Sequence, residues 1–483
     1  MQRLKDYFTL NKEVQNEYQD LELEFDAPLP VDLNGTLFRN GNGRFVHQGV
    51  RYDHLFDGDG MLTKFTFREG KAFYRNRYVQ TREFQEEEAA GKMLYRSFGT
   101  NLPGGFWANA LKTHFKNASN TSVIWHGGKL LSLWEGGWPH EIDPYTLETK
   151  GRFHYSGYLK NSFSKVDAKI FPELAFSAHP KIHPDTGDLH NFGVVPGLSS
   201  RLVQYQIDAD GQSLPIWAKK LPAVSFTHDF ILTASGKRIF FFTPVNFGLA
   251  AMFLGFKPPV ASIQVRQDEP IEIMVFDPDE DQEYSFETDF GFIFHFTNGY
   301  ERSDGQIVVD GFLMPDFPDA EVNKQLFEGD DSATPAGILY RYLLNLKTGE
   351  VQRERRSPYP GELPTFHPSL TGKKYRYTWC LGLPEGADYK MLDGIQKIDV
   401  EQGTAHLKSM HPHLPGEPLF IPKSKAQKED EGYLAVLIFN ALEKTTWLYI
   451  LDAETLSEIT KARLPHNIPL GFHGKFVDRL FIE

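Results

Sequence analysis

The chain has 483 residues, 41% of them hydrophobic and 14% aromatic, and a formal net charge of −13. That acidic balance disfavours non-specific nucleic-acid binding, so no nucleic-acid partner is expected. The single cysteine, Cys380, excludes an intramolecular disulfide and any cysteine-based zinc cluster. In chain order, the first stretch, MQRLKDYFTLNKEVQNEYQD, is charged and has no apolar signal core. No later segment is apolar for long enough to span a bilayer. A cytoplasmic protein of a reducing compartment is the expectation. Length alone suggests roughly three domains, but no linker-like tract divides the chain, so residues 1–483 are read as one domain.

Helical periodicity is best at residues 11–20 and 318–328. MLTKFTF–REG–KAFYRNRYV, residues 61–79, is a hairpin by alternation and turn. Strands that end in an acidic or amide turn recur at HEIDPYTLET (140–149), VQYQIDADGQ (203–212), EIMVFDPDED (272–281), YRYLLNLKTGE (340–350), GIQKIDVEQGTA (394–405) and LYILDAETLSE (448–458). Others open after a Gly-containing turn, as in GGKLLSLWEG (127–136), SGKRIFFFT (235–243), DGQIVVDGF (304–312) and EGYLAVLIFN (431–440). Many short antiparallel strands at regular spacing mean a sandwich, a barrel or a propeller. An all-β, seven-bladed propeller of about seven four-stranded modules, capped by loops and short helices, fits best; two β-sandwiches are the alternative.

FSAHPKIHPDTGDLH, residues 176–190, holds His179, His183 and His190. The first two are four apart, a spacing that on a helix places both rings on one face. Pro180 and Pro184 follow them, and proline bars its predecessor from helical geometry. The segment reads as a strand end at Phe176–Pro180 and a turn at Pro184–Gly187. A metal site would have to draw its other ligands from distant positions. On a propeller those positions are the ends of inner strands. Four histidines lie at apolar strand ends: His179 in LAFSAHPK, His228 in VSFTHDFIL, His295 in FGFIFHFTN and His473 in PLGFHGKF. His183, His190, His411, His413 and His466 sit among Pro, Asp and Asn, as exposed turn residues do. A lone histidine in an apolar strand is more often a core residue than a ligand; four of the same character carry more weight.

Several motifs in one order add a family resemblance. RNGNGRF (39–45), HLFDGDGML (54–62), NTSVIWHGGKLLSLWEGGWPHEIDP (120–144), FSAHPK, FTHDF, FHFTNGYE, GELP, GEPLFIP and LPHNIPLGFHG together resemble the carotenoid cleavage oxygenases, most of all the bacterial apocarotenoid (15,15') oxygenases. The resemblance runs nearly end to end. It implies a seven-bladed propeller with one Fe(II) on its axis, held by His179, His228, His295 and His473. It also implies that Glu135 orients His228, Glu362 orients His295 and Glu417 orients His473, leaving His179 without a carboxylate. After Glu362 the chain departs from the family pattern, with Pro364, Thr365, Phe366 and His367.

Imidazole suits Fe(II), and four neutral rings leave the ion's double positive charge in place. Zinc would accept the same nitrogens but has no redox chemistry. The implied reaction is dioxygen insertion across a conjugated C=C bond of a hydrophobic polyene, giving two carbonyl products such as retinal-type aldehydes. No side-chain nucleophile or general base is required. Phe56, Trp134 and Phe294 are expected to line an apolar tunnel, with Thr121 near an open position of the metal; ordinary core packing is the other reading of each.

VNFGLAAMFLGFKPPV, 245–260, is the most apolar stretch, and Lys257 is its only charge. It is too short to span a membrane. As a surface patch, Phe247, Leu249, Met252, Phe253 and Leu254 would attach the protein peripherally to a membrane that stores the substrate; as a core segment they would be buried. A monomer is expected. The rival readings are a stilbene- or phenylpropanoid-cleaving oxygenase with the same iron site, a non-enzymatic carotenoid-binding propeller, and a zinc hydrolase. Stilbene-cleaving relatives tend to place a lysine just before the glutamate of the L-x-E stretch, where this chain has Trp134.

Overall fold

Runs such as GYLAVLIFN at Gly432–Asn440 are buried at every position rather than at alternate ones, so both faces of such a strand must be covered. A ring of sheets packed face to face does this. The computed structural model describes residues 2–112, 114–197, 199–212, 215–334 and 336–482 and has that architecture: seven antiparallel blades around an axis. The inner strands of blades two to six are Ser122–His126, Lys181–Ile182, Ile231–Leu232, Phe292–Glu301 and Gly361–Thr365. In blade seven, Leu414–Pro415 and Leu419–Pro422 both pair with Gly432–Asn440.

Blade one closes the ring. The C-terminal strand Gly474–Val477 pairs antiparallel with Gly35–Asn42, with Leu37 opposite Phe476. The predicted hairpin follows as Gly60–Arg68 and Lys71–Tyr78. Each junction between neighbouring blades has its own apolar core. Leu37 and Phe65 of blade one meet Leu448 and Ile450 of blade seven; Phe38 and Leu62 meet Val123 and Leu130 of blade two; Trp379 of blade six meets Val436 of blade seven. Each buried Phe or Leu contributes roughly 1.5–3 kcal/mol relative to exposure, so the surplus aromatics are largely spent between blades.

The helix expected at 318–328 is present as Ala320–Phe327, capped by Asp319, which accepts from the Glu321 and Val322 N–H groups. The helix expected at 11–20 is absent. The helical segment lies earlier, at Gln2–Leu10. Asn11 stops it by returning its side-chain amide to the Tyr7 carbonyl at 2.8 Å, and the Val14 N–H bonds to the Gly43 carbonyl instead. Among the described residues, no helix is long and apolar enough to cross a membrane.

Candidate metal centre

The start of an inner strand is the part of a blade nearest the axis, and the four apolar-strand histidines sit there. His179 precedes Lys181–Ile182, His228 precedes Ile231–Leu232, His295 lies near the start of Phe292–Glu301, and His473 precedes Gly474–Val477. One ring nitrogen from each falls within 4.8 Å of the others. Nε2 of His179 and Nε2 of His228 stand 2.9 Å apart.

The opposite nitrogens are held. Nδ1 of His295 donates to Glu362 at 2.6 Å, and Nδ1 of His473 to Glu417 at 2.8 Å. A carboxylate can only accept, so Nδ1 carries the proton and the Nε2 lone pair is free. Nε2 of His295 is buried with no hydrogen-bond partner. Burial and the neighbouring rings hold His179 and His228 well below the usual histidine range. Burial lowers His295 too, but the Glu362 charge and hydrogen bond outweigh it and raise the ring. Convergent imidazoles, two of them held well below the usual histidine range, suit a cation, and the donor set fits a single metal ion.

Glu135 is placed differently. It stands in the turn after Lys129–Leu133, 3.4 Å from Nδ1 of His228, and makes no hydrogen bond to it; that nitrogen is buried without a partner. Its Oε1 accepts from the Ala178 N–H at 3.2 Å. Burial pushes its carboxyl up to about 8, and Asp229 adds to the rise. Among the described residues, no carboxylate bonds to Nδ1 of His179.

The unusual residues after Glu362 leave the His295 contact in place. Leu363 takes a left-handed φ of +58° and returns its N–H to Glu362 at 2.5 Å. A branched residue there stores strain, and it does so beside the carboxylate that orients His295.

The resemblance motifs form the frame of the site. Asn40 donates to the Ser119 and Ser122 carbonyls and to Ser132. Its own N–H bonds to the His473 carbonyl at 2.9 Å. Gly41 lies against Gly471: a Cβ at Gly41 would meet Gly471 Cα at 2.3 Å, so a side chain there would displace the segment carrying His473. Buried Arg39 donates to the Glu417 carbonyl and stands 3.8 Å from its carboxylate. In FDGDGM, Asp57 accepts from the Gly99 N–H and Thr100 hydroxyl, while Asp59 pairs with Arg44 at 2.6 Å and Lys116 at 2.7 Å. The sequence marked these motifs without revealing these roles, because every one of the contacts is made to a distant segment.

Phe56 and Phe294 meet edge to face at 6.4 Å. Phe294 and Phe226 both contact the His228 ring, and Phe98 joins Phe56 to Phe226 and Phe247. The result is an aromatic lane that leads away from the histidines. Trp134 lies against Gly136 and Gly137, one residue before Glu135. Thr121 sits at the mouth of blade two, its carbonyl accepting from the His473 N–H at 3.2 Å.

Two other expectations are corrected. His183 and His190 are buried, not exposed. Nε2 of His183 bonds to the Ala234 carbonyl at 3.0 Å, and its Nδ1 accepts from the following turn; His190 lies on a central strand and packs against Arg238. Both are satisfied core residues, and neither reaches the axis. Of the expected patch, Phe247 turns into the aromatic lane and Met252 is buried. Leu249 and Phe253 are half-buried, with Phe253 against Phe171. Leu254 is exposed. Phe256, Phe106, Trp107 and Leu111 are exposed beside it.

A seven-bladed propeller with four histidines converging at its axis is an axial metal-site propeller. Residues 9–478 match the family described as retinal pigment epithelial membrane protein, and the chain belongs to that family. It is 31% identical to the apocarotenoid-15,15'-oxygenase of Synechocystis sp. over 94% of this chain and 92% of that protein. It is 27% identical to the isoeugenol monooxygenase of Pseudomonas nitroreducens over 95% of each. The structure of cobalt-substituted Synechocystis ACO matches with a TM-score of 0.91 at 29% identity, covering 99% of both chains.

Proposed function

We propose that the protein is a non-haem Fe(II) dioxygenase that cleaves a conjugated C=C bond of an apocarotenoid, with His179, His228, His295 and His473 holding the metal. The observation that carries this reading is the convergence of four ring nitrogens, two of them backed by carboxylates, at the end of an aromatic lane. Ferrous iron bound there would supply the open-shell chemistry that lets dioxygen react with a closed-shell alkene. The protein's own part is placement. Glu362 and Glu417 fix the tautomers of His295 and His473, and Glu135 lies against His228. Phe56, Phe294 and Phe226 offer flat apolar surface to an extended polyene and keep water out. The alkene and one O2 give two carbonyl fragments, so the atoms balance with no external reductant.

The exposed apolar group of Leu254, Phe256, Phe106, Trp107 and Leu111 supports peripheral contact with a lipid surface, from which such a substrate would enter without crossing water. Replacing Trp107 and Phe256 by serine is expected to release the protein from phosphatidylcholine liposomes; unchanged co-sedimentation would count against the patch.

Similarity to an isoeugenol monooxygenase keeps a compact phenolic substrate as the competing reading. Iron-loaded protein should be incubated in air with a β-apocarotenal, a hydroxystilbene and isoeugenol, with products identified by mass spectrometry. Cleavage of the apocarotenal is expected. Cleavage of only the phenolic compounds would keep the metal centre and overturn the polyene reading.

A further inference from the structure

In FTHDF, residues 226–230, the residue after His228 is Asp229, which is buried. Its Oδ1 accepts from Lys181 Nζ at 2.7 Å and from the Phe230 N–H at 2.8 Å. Its Oδ2 accepts from the Phe296 N–H at 3.0 Å. Lys181 lies two residues past His179, on blade three, and Phe296 directly follows His295, on blade five. One carboxylate on blade four therefore ties together the segments that carry three of the four histidines.

The strand bearing His295 is irregular at this point. Its register against Gln306–Met314 slips between Ile293 and Phe296, and again between Phe296 and Asn298. Slips of this kind leave residues out of the ladder and re-aim side chains. Between the two slips, the Phe296 N–H goes to Asp229. The bulge that turns His295 toward the axis is thus pinned by a group from the next blade, one residue from His228.

We propose that Asp229 is a positioning residue of the metal centre, setting the spacing of His179, His228 and His295 around a bound divalent cation. This rests on the four-histidine reading above. Asp229 does not touch the ring nitrogens; it acts through Lys181 and Phe296. Carboxylates bonded directly to a ligating histidine typically change metal affinity by about 10–100-fold when removed, and Asp229, one step further out, is expected toward the lower end of that range. A merely structural tie between blades would change thermal stability and leave the metal's surroundings alone.

The test uses the full chain with Co2+ as probe, reading the d–d absorption spectrum and affinity by chelator competition. Asp229→Asn keeps an oxygen acceptor and loses the ion pair; a shifted spectrum and a several-fold affinity loss are expected, rising to about tenfold for Asp229→Ala. Should Asp229→Ala not fold, Lys181→Met tests the His179 arm alone, with a smaller loss and a shifted spectrum expected. Wild-type protein that binds cobalt, with Asp229→Asn and Lys181→Met matching its spectrum and affinity whatever their melting temperatures, would overturn the proposal and leave the metal centre standing. Wild-type protein that binds no cobalt would overturn the metal centre itself, and the proposal with it.

Discussion

His295 and His473 each deliver Nδ1 to a carboxylate, at 2.6 and 2.8 Å, whereas His228 stands 3.4 Å from Glu135 and outside hydrogen-bond geometry. The difference follows from where the carboxylates sit. Glu362 is on the inner strand Gly361–Thr365, and Glu417 lies between two short strands that both pair with Gly432–Asn440. Glu135 is in a turn, and His179 and His228 are in loops that only then enter strands. In one half of the centre, His295 and Glu362 stand on sheet strands, and the His473 backbone is held on both sides, its N–H by the Thr121 carbonyl at 3.2 Å and its carbonyl by the Asn40 N–H at 2.9 Å. The other half, where two Nε2 atoms face each other at 2.9 Å, depends on side-chain ties and on the cation that the lone pairs suit.

The largest expected effect breaks the backbone-held half. His295→Ala and His473→Ala should reduce bound iron and cleavage to the level of a blank, read by metal analysis and product yield. Next, Glu362→Gln and Glu417→Gln should each weaken metal binding by about 10–100-fold, with Glu135→Gln below about tenfold. Equal losses at all three, measured by chelator competition, would remove the asymmetry.

A smaller effect reaches the same half through its backbone. Gly41→Ala would place a methyl against Gly471, and overpacking of this kind costs about 1–3 kcal/mol. Thermal unfolding should show that loss, together with weaker metal binding, because the displaced segment carries His473. The smallest concerns Leu363, whose left-handed φ of +58° glycine would adopt without strain. Leu363→Gly should change stability by less than about 1 kcal/mol, since lost packing and relieved strain offset. A much larger loss in a denaturant titration would show that the side chain, not the turn, holds Glu362.

The four histidines were legible because each follows an aromatic-rich run, but at His179, His228 and His473 that run is a loop leading into the inner strand, so the strand end expected at Phe176–Pro180 is corrected to a loop. Turn chemistry and uninterrupted apolar strands gave the propeller for the same local reasons. What sequence could not show is what one blade does to the next. His183 and His190 sit among residues typical of exposed turns, yet neighbouring blades cover them through Ala234 and Arg238. The helical pattern at 11–20 lost to pairing with distant Gly43. Asp229 is one letter of the FTHDF motif, and its importance lies in Lys181 and Phe296, each on a different blade.

The most direct test is the iron content of the chain after anaerobic loading with Fe(II) and removal of loose metal, for the wild type beside His295→Ala and His473→Ala. About one iron per chain is predicted for the wild type, from the single four-histidine cluster found among the described residues, and almost none for the variants. Iron retained in either variant, or absent from the wild type, would contradict the four-histidine centre.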